Sequence, residues 1–475
     1  MYYIGLDLGT SGLKGLLVSA DGKIIREGSE SYHVHYPVSG WSEQNPEDWL
    51  EAAECVLERL SRGVEKDIAG VSIGGQMHGL VLMDEHDEVI RPAILWNDGR
   101  TERETDYLNE VIGKDKLSSY TANIAFAGFT APKILWVKKN EPENFAKINK
   151  LCLPKDYLAY KLTGVFSTDY SDASGMLLLD VKNKRWSKEM LEICSVKEEW
   201  LPKLYESYEV TGKVKSLPSA VMTAGAGDNA AAAIGTGTVT SGDCNISLGT
   251  SGTVFISGDK FMPSEGNALH SFAHANGKWH LMGCILSAAS ANKWWLEDIL
   301  KTCDYDGAVA GAALGENEVW FLPYLMGERS PHNDVNARGA FIGMRADTTR
   351  EQMSLSVLEG VSFALRDCVE CARASGLKIT KATVCGGGAK SEVWKKILAN
   401  VLSVEILSPE TEQGPAYGAA ILAMVGAGEY ASVEEAKKLV KIKERVRPDK
   451  TLVGKYEQRY RTFRKFYPAL KEALK

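Results

Sequence analysis

The tetrapeptide Gly-Thr-Ser-Gly occurs twice in the chain, at residues 9–12 and at residues 249–252. The offset, 249 minus 9, is 240 positions, about half of the 475 residues. Each copy lies between two apolar runs, which predicts a β-hairpin with a turn of small residues. Backbone N–H groups in such a turn can form an anion-binding nest, to which Thr and Ser add hydroxyl donors. Two nests on two similar halves predict one polyphosphate that is gripped from both sides.

The two copies differ in the charged residues beside them. Asp7 precedes the first turn and Lys14 follows it, whereas Ser247 and Val254 occupy the matching positions of the second. A carboxylate repels a bound phosphate unless a cation lies between them, and Mg²⁺ reaches protein through one or two carboxylates. We therefore interpret Asp7 as the carboxylate on the magnesium side and Lys14 as compensation for phosphate charge. The alternative is an ordinary turn Asp and a solvated Lys.

Size and composition restrict the function classes. A chain of 475 residues with 44% apolar and 25% charged residues predicts two or three globular domains. The net charge of −7 argues against a nucleic-acid binder. The N-terminus leads directly into a strand pattern without signal features, and no apolar run is long enough for a bilayer, which argues against a membrane partner. Nine scattered cysteines, including Cys368 and Cys371 within a helical pattern, favour a reducing, cytoplasmic location.

Strands and helices alternate in both halves of the chain. The first half has strand patterns at 2–7, 14–19, 24–32 and 68–73, and a helix that begins at Asn45-Pro46. The second half repeats the scheme, with hairpins from 246, helices at 287–300 and 350–374, and a strand at 383–385. This pattern predicts an α/β duplication with a cleft between domains 1–242 and 243–475. The charged segment from Lys437 is predicted to be a helical, solvated cap.

Two longer motifs resemble the signatures of the FGGY family of carbohydrate kinases. Residues 128–140 (Gly-Phe-Thr-Ala-Pro-Lys-Ile-Leu-Trp-Val-Lys-Lys-Asn) are similar to the first signature. Residues 339–344 (Gly-Ala-Phe-Ile-Gly-Met), with 356–360 downstream, are similar to the second. The resemblance covers essentially the whole chain. It implies an α/β fold of two similar actin/sugar-kinase-like (ribonuclease H-like) domains, with the sugar bound mainly by the first half and ATP mainly by the second.

Within the family the chain resembles the enzymes that convert D-xylulose to D-xylulose 5-phosphate. The residues that carry this resemblance are 76–79, 95–100, 154–157, 227–229 and 327–332. Residues 75–78 (Gly-Gln-Met-His) differ from the Asn-Gln-Arg-Glu of the family's glycerol kinases, which argues against glycerol. The resemblance implies ATP and Mg²⁺ as cofactors and a small sugar as substrate, and it is compatible with a homodimer.

The catalytic base that the resemblance implies is Asp228, which follows two glycines at a predicted loop-to-helix junction. Taken alone, an Asp at this junction is typical of a helix N-cap, and the two roles can coexist. A base must take the proton of the sugar hydroxyl during phosphoryl transfer. Asp7 is the second carboxylate assigned to catalysis and to the metal.

The predicted sugar site follows the end of the strand at 68–73, where α/β sheets usually bind ligands. The resemblance assigns Met77 and His78 to the sugar, since imidazole can hydrogen-bond a hydroxyl and Met can pack on carbon. The predicted sugar-binding set is Gln76, Met77, His78, Trp96 and Asn229. Trp96 packs on the sugar or lies in the core, and Asp98 and Arg100 form a loop ion pair or contact the ligand.

The predicted nucleotide site combines both turns with Gly386-Gly387-Gly388, which suits close approach of the adenosine or forms only a tight strand-to-helix turn. The segment 287–292 either flanks the adenine base of the nucleotide or serves only to pack a helix. The nucleotide set is Thr10, Ser11, Lys14, Gly249, Thr250, Ser251, Asn292, Gly387 and Gly388.

Two other functions fit parts of the pattern. One is a family kinase for another sugar or polyol, such as ribulose or fructose. The other is a nucleotide-driven switch like actin or the chaperone ATPases, which has no small-molecule acceptor. The Gln-Met-His sequence at 76–78 and Asp228 argue against the switch.

Overall fold

The structure, a computed structural model, describes residues 1–473, and within them it contains two seven-stranded mixed β-sheets. The strands of the first sheet are, in spatial order, Val210–Val214, Leu217–Thr223, Ile68–Gly75, Tyr2–Leu8, Gly12–Ser19 and Ile24–Ser31, with Ala226–Gly227 also paired to Ile68–Gly75. Those of the second are His270–Ala273, Trp279–Ile285, Gly252–Gly258, Cys244–Leu248, Lys381–Cys385, Glu405–Pro409 and Ile442–Val446.

Both sheets repeat one scheme around their first hairpin. Tyr2–Leu8 is antiparallel to Gly12–Ser19 and parallel to Ile68–Gly75. In the second sheet, Cys244–Leu248 is likewise antiparallel to the strand after its turn and parallel to Lys381–Cys385. The predicted hairpins and the predicted duplication are therefore confirmed, and residues 9–12 (the first turn) and 249–252 (the second turn) occupy equivalent places.

Helices cover the sheets and connect them. Those of the first half are Pro46–Ser61, Glu102–Asp106, Lys114–Thr121, Thr130–Asn140, Pro142–Ala146, Pro154–Thr163, Tyr170–Ala173, Lys188–Cys194 and Asp228–Gly235. Those of the second half are Ala289–Lys293, Arg350–Ala374, Glu392–Leu402, Gly414–Gly426, Val433–Ala436 and Lys450–Leu470. Smaller strand pairs are Glu43–Gln44 with Ala93–Ile94, Val81–Met83 with Lys150–Cys152, Lys203–Tyr205 with Ser167–Asp169, Leu179–Asp180 with Arg185–Trp186, and Trp320–Leu322 with Ala340–Ile342.

The first long helix begins as its sequence predicts. The Asn45 side chain accepts a hydrogen bond from the Glu47 N–H at 3.4 Å, and Pro46 occupies the first turn. The helix buries Trp49 and Leu60 in a core that it shares with the first sheet. This packing fixes one face of the sheet, so the strand ends remain available at its edge.

Two helices lie against each other between the sheets: Asp228–Gly235, here the first inter-sheet helix, and Gly414–Gly426, the second. A Cβ atom added to Gly418 would lie 1.8 Å from the backbone oxygen of Ala231. The second inter-sheet helix also packs on the first sheet, where a Cβ on Gly5 would lie 1.9 Å from a helix carbonyl. Glycine is required at these positions because backbone touches backbone.

The predicted solvated cap at the C-terminal end is wrong. Ile442–Val446 is the edge strand of the second sheet, and Lys450–Leu470 buries Tyr456 and Tyr460 against Phe363 of the helix Arg350–Ala374. Arg459 of the C-terminal helix pairs with Glu359 at 2.7 Å, and both side chains are buried. Aromatic residues at helical spacing form a buried stripe in this segment, although its composition is strongly charged.

Among residues 1–473, no helix combines the length and the apolar character needed to cross a bilayer.

Candidate active site

The first turn presents free backbone donors at the edge of the first sheet. The Gly9 N–H donates to the Gly12 carbonyl at 3.1 Å, which closes the turn. The N–H groups of Thr10 and Ser11 donate to no protein atom within residues 1–473. Ser11 is exposed and Thr10 half-buried. The turn is therefore built to receive an acceptor from outside, as an anion nest requires.

The first turn is held in place by side-chain hydrogen bonds to Thr10. The Trp96 Nε1–H donates to Thr10 Oγ1 at 2.9 Å, and this hydroxyl donates to Gln76 Oε1 at 3.2 Å. The Gln44 amide donates to the Thr10 carbonyl at 2.7 Å and accepts from Gln76 Nε2 at 3.1 Å. Gln76 is buried and its amide is engaged by protein, whereas 46% of Trp96 is exposed. The alternative of a core Trp96 is therefore wrong, and its indole is anchored while its ring remains open.

The second turn is held by backbone instead. The N–H groups of Ala288 and Ala289 donate to the carbonyls of Thr250 and Gly249, at 3.0 and 2.9 Å. The N–H groups of Thr250 and Ser251 have no protein acceptor in the described chain, 1–473. The second turn thus offers the same two free donors as the first, at the equivalent positions of its sheet.

Two carboxyl groups interact beside the first turn. Asp7 lies on the strand before it, paired in register with Lys14, and Asp228 begins the first inter-sheet helix. Burial raises the pKa of Asp7 to about 7, and the negative charge of Asp228 adds to this rise. The Lys14 ammonium opposes the shift, but it donates to Gln413 Oε1 at 2.8 Å and does not pair with Asp7.

This donor set fits Mg²⁺. Asp7 is a half-buried carboxylate whose pKa is raised by burial and by the charge of Asp228, so a divalent cation would stabilise its ionised form, and carboxylate oxygen is the ligand that Mg²⁺ prefers. Within residues 1–473, no group of three or more His, Cys, Asp or Glu side chains is placed to hold a metal alone. A cation here would therefore take its other ligands from phosphate and water, as Mg²⁺ usually does.

Asp228 has one engaged oxygen and one free oxygen. Its Oδ1 accepts from the Asn229 N–H at 2.7 Å and from Asn229 Nδ2 at 3.0 Å. Gly227 occupies the N-cap position and Asp228 is the first residue of the helix, but the Asp228 carboxylate still accepts from a free N–H group of the first turn, that of Asn229, so a capping contact coexists with the free Oδ2. Burial raises the pKa of Asp228 to about 6, which the Asn229 N–H partly opposes. Such a carboxyl group is suited to proton transfer near neutral pH.

A buried ion cluster lies behind the Asp228 loop, and the sequence analysis gave it no role. Lys155 Nζ pairs with Asp156 at 2.7 Å and Asp169 at 3.2 Å, and all three side chains are fully buried. Asp169 also accepts from Ser171 Oγ at 2.5 Å, and Ser171 Oγ accepts from the Gly227 N–H at 3.1 Å. This chain of contacts fixes the backbone immediately before the base. The signal was present in residues 154–157, which carried the family resemblance.

Three of the predicted sugar residues, Met77, His78 and Asn229, come together next to Asp228, whereas Gln76 and Trp96 bond Thr10 of the first turn. His78 Nδ1 lies 2.7 Å from the Gly175 carbonyl, and the ring stacks on Phe129 at 4.5 Å. Because a carbonyl only accepts, Nδ1 is the donor; burial lowers the pKa of His78 to about 3, so Nε2 is an unprotonated acceptor. Met77 lies nearby, with its Sδ 3.9 Å from Asn229 Nδ2. His78, Met77 and Asn229 therefore form one wall with the base.

Lys133, a residue of the 128–140 motif, supports this wall and was not predicted to do so. Its buried Nζ donates to the carbonyls of His78 at 2.9 Å and Gly128 at 2.5 Å. Burial lowers its pKa to about 7. It fixes the His78 backbone, whose φ of +69° is in the left-handed region.

The loop ion pair is the correct alternative for Asp98 and Arg100. Their side chains are buried and lie 2.7 Å apart, and the guanidinium stacks 3.8 Å over the Trp41 ring. Neither group is free to contact a ligand, so the pair orders the loop that carries Trp96.

The three glycines form the predicted tight turn, and the approach of the adenosine stays a prediction. Gly386 has a φ of +87°, as a tight turn requires, and a Cβ on Gly388 would lie 2.9 Å from the Trp394 ring. A Cβ on Gly387 would meet no atom within 4 Å, and a cavity of about 440 Å³ opens beside it. Asn292 is buried in the short helix whose start holds the second turn.

Comparison with known proteins gives matches over both halves of the chain. The N-terminal domain of the FGGY family of carbohydrate kinases matches residues 2–235, and its C-terminal domain matches residues 244–427. A xylulose kinase from Escherichia coli (strain K12) is 40% identical over 482 aligned residues, which cover 98% of this chain and 99% of that protein.

Solved structures superimpose on the whole chain. The xyloylose kinase from Brucella ovis has a TM-score of 0.94 and 39% identity, with complete coverage of both chains. The gluconate kinase from Lactobacillus acidophilus also has a TM-score of 0.94, at 25% identity, and the alignment covers 99% of this chain and 98% of that one.

Proposed function

The chain belongs to the FGGY family of carbohydrate kinases, and from this premise we propose that it transfers the γ-phosphoryl group of ATP to D-xylulose. The product is D-xylulose 5-phosphate. Curated relatives that are 34–40% identical over nearly the whole chain are named xylulose kinases, which supports this choice of sugar. The observation that carries the proposal is the free oxygen of Asp228, beside a sugar wall and near a turn with unpaired N–H donors.

The two turns hold the triphosphate between them. The free N–H groups of Thr10, Ser11, Thr250 and Ser251 donate to phosphate oxygens. The adenosine lies toward Gly387, where the backbone borders a cavity. The predicted domain boundary, between residues 242 and 243, is part of the same proposal. Mg²⁺, when bound, neutralises phosphate charge, and Asp7 is the residue that holds it, directly or through water.

Asp228 is the general base. Its Oδ2 takes the proton of the sugar hydroxyl while the hydroxyl oxygen forms a bond to the γ-phosphorus and the bond to the β–γ bridging oxygen breaks. Asn229 holds Oδ1 through two hydrogen bonds, so that Oδ2 keeps a fixed direction. A pKa of about 6 leaves the carboxylate ionised at neutral pH, yet basic enough to accept the proton.

The sugar is held by polar groups and by apolar groups. His78 Nε2 accepts from one hydroxyl, because Nδ1 is the proton carrier of the neutral ring. The Asn229 amide and Met77 border the carbon chain, and Trp96 supplies an anchored, exposed ring. Trp96 donates to Thr10, so the sugar wall and the first phosphate turn form one hydrogen-bonded unit.

A kinase for another sugar is the second candidate. The gluconate kinase from Lactobacillus acidophilus superimposes as well as the xyloylose kinase from Brucella ovis, so the fold alone does not select the acceptor. Residues 75–78 favour a ketose over glycerol on the resemblance described above.

A sugar panel tests the proposal. The purified chain is assayed for ADP release with ATP and Mg²⁺ on D-xylulose, D-ribulose, D-fructose, D-gluconate and glycerol. We expect kcat/KM for D-xylulose to exceed that for every other acceptor by at least about 10-fold, the discrimination that a few polar contacts provide. A higher value for another acceptor would assign a different substrate, and ADP release that no sugar stimulates would favour the nucleotide switch. Phosphorus NMR of the product identifies the phosphorylated carbon.

A further inference from the structure

Arg329 carries a positive charge that no protein group neutralises. Within residues 1–473, its guanidinium makes no hydrogen bond and has no carboxylate within ion-pair distance. Its contact is with the ring of Phe126, 5.1 Å from the guanidinium carbon. The residue belongs to the motif at 327–332, to which the function proposed above assigns no role. An arginine placed in this way is available for an anion.

The backbone places Arg329 beside the second turn. The N–H of the next residue, Ser330, donates to the Cys284 carbonyl at 2.9 Å. Cys284 belongs to the strand that pairs with the one following the second turn, where it lies opposite Thr253. Arg329 therefore comes from the second half of the molecule, close to the donors that hold the triphosphate.

An aromatic path leads from Arg329 to the sugar wall. Phe126 meets Phe129 edge to face at 5.4 Å, and Phe129 stacks on His78 at 4.5 Å. The positive charge of Arg329 is one of the causes that lower the pKa of His78. The guanidinium thus lies near both the second turn and the proposed acceptor site.

The groups around Arg329 are neutral at pH 7. Burial lowers the pKa of His78 and His270, which keeps both rings uncharged. Burial raises the pKa of Glu328 to about 8, so this neighbour is protonated, and its buried Oε2 has no hydrogen-bond partner in the described chain. A guanidinium in such surroundings gains most from a bound anion, and its planar donors match phosphate.

We propose that Arg329 binds the phosphoryl group on the acceptor side of the cleft, first during its transfer and then as the phosphate of the sugar product. The neutral sugar does not require this charge, whereas the transferred group and the product ester do. The inference rests on the function proposed above. It makes Arg329 a catalytic residue supplied by the second half, opposite the base that the first half supplies.

Binding of the neutral sugar and of its phosphate tests this inference. Arg329→Met and Arg329→Lys are compared with Arg447→Met, a control at an arginine that is 83% exposed. Affinities for D-xylulose and D-xylulose 5-phosphate are measured by calorimetry, and kcat by ADP release. For Arg329→Met we expect kcat to fall about 10²- to 10³-fold, the usual cost of removing a preorganised charge-stabilising donor. The Kd for the phosphate should rise at least about 10-fold, and that for the neutral sugar by no more than about twofold.

Each other outcome overturns the inference. Equal weakening of sugar and sugar phosphate would mean that Arg329 contacts hydroxyls or only supports the fold, and unchanged phosphate binding would mean that it contacts no phosphate. Arg329→Lys keeps the charge and should retain most of the phosphate affinity, so it serves if the Met variant is misfolded. If the wild-type protein binds neither ligand, the choice of D-xylulose fails instead, and the titration is repeated with the sugar that the panel selects and with its phosphate ester.

Discussion

The two turns offer the same backbone donors but are supported in different ways. The first turn rests on side chains, since Thr10 is held by Trp96, Gln76 and Gln44. The second turn rests on the backbone N–H groups at the start of the helix Ala289–Lys293. Backbone support depends on the path of the chain and tolerates many side chains, whereas side-chain support depends on each residue. Substitutions around the first turn should therefore change its geometry, whereas those around the second turn should change it little.

The supports of the first turn link the proposed sugar site to the proposed phosphate site. Trp96 belongs both to the support of Thr10 and to the proposed sugar site, so occupation of the sugar site can reach the phosphate through one hydrogen bond. The carboxylates Asp7 and Asp228 lie on this same side, while Ser247 stands where Asp7 would be in the second hairpin. The difference supports the proposal that the first half supplies the base and the sugar site, whereas the second half supplies the nucleotide site and, with Arg329, a charge toward the phosphoryl group.

The largest effect is expected when the proposed base of the first half, Asp228, is removed. Asp228→Asn keeps the shape of the side chain but removes the proton acceptor, and we expect kcat to fall about 10³-fold, within the usual range for general bases. ATP affinity, measured by calorimetry, should change by less than about threefold, because the turns are untouched. Substantial sugar phosphorylation by this variant would show that another group takes the proton.

A pair of variants tests the difference between the turns directly. Thr10→Val removes the hydroxyl that joins Trp96 to Gln76, and two lost hydrogen bonds predict about a 10-fold fall in kcat/KM for the sugar. Ser290→Ala removes a hydroxyl that donates to the Thr250 carbonyl at 2.6 Å, but the backbone donors to that turn remain. Its kcat/KM should fall by less than about threefold. Equal effects in steady-state assays would contradict the contrast between the two supports.

The pH dependence of kcat/KM should follow the ionisation of Asp228, which belongs to the first half of the molecule. The base works only when ionised, so kcat/KM should rise with pH through about 6 and level off above it. At pH 5 the activity should be about one tenth of its plateau, because one pH unit below a pKa leaves about a tenth of the group ionised. In the residual activity of Asp228→Asn this acidic limb should disappear. A limb that persists in the variant would belong to another group.

The smallest expected effect concerns stability. Burial raises the pKa of Asp7 in the folded protein from 3.8 to about 7, so the folded state binds a proton that the unfolded state has lost. Stability therefore falls as the pH rises from about 4 to about 7 and does not recover above it. Without Mg²⁺ or ATP, Asp7→Asn should melt a few degrees above the wild-type protein at pH 8. At pH 4 the two should melt together, and a difference that is the same at both pH values would exclude ionisation as its cause.

The sequence predicts what local patterns determine. Hairpins, the Asn45 cap and the two turns depend on residues that are close along the chain, and all of them were found. The assignment of Asp228 and His78 to one site came from the family resemblance, because no spacing rule joins positions 150 residues apart. Their roles remain predictions, although the structure brings the two residues to one wall.

The interactions that hold the site residues in place were not predicted where they join residues far apart along the chain. Lys155 pairs with Asp169, and Lys133 holds the His78 carbonyl from 55 residues away, which periodicity cannot reveal. Burial was left open for Trp96 and was misjudged for the C-terminal segment. Trp96 is an exposed aromatic residue, and the charged C-terminal helix hides an aromatic stripe with the buried pair of Arg459 and Glu359.

The contact between the inter-sheet helices has a consequence for how the molecule can move. Where Gly418 meets Ala231, the two main chains are in direct contact and no side chain lies between them. A contact of this kind permits a small rotation of one helix on the other, whereas interdigitated side chains would fix the angle between them. A single methyl group at position 418 would push the two helices apart and change the width of the cleft, at a contact that lies about one helical turn from Asp228.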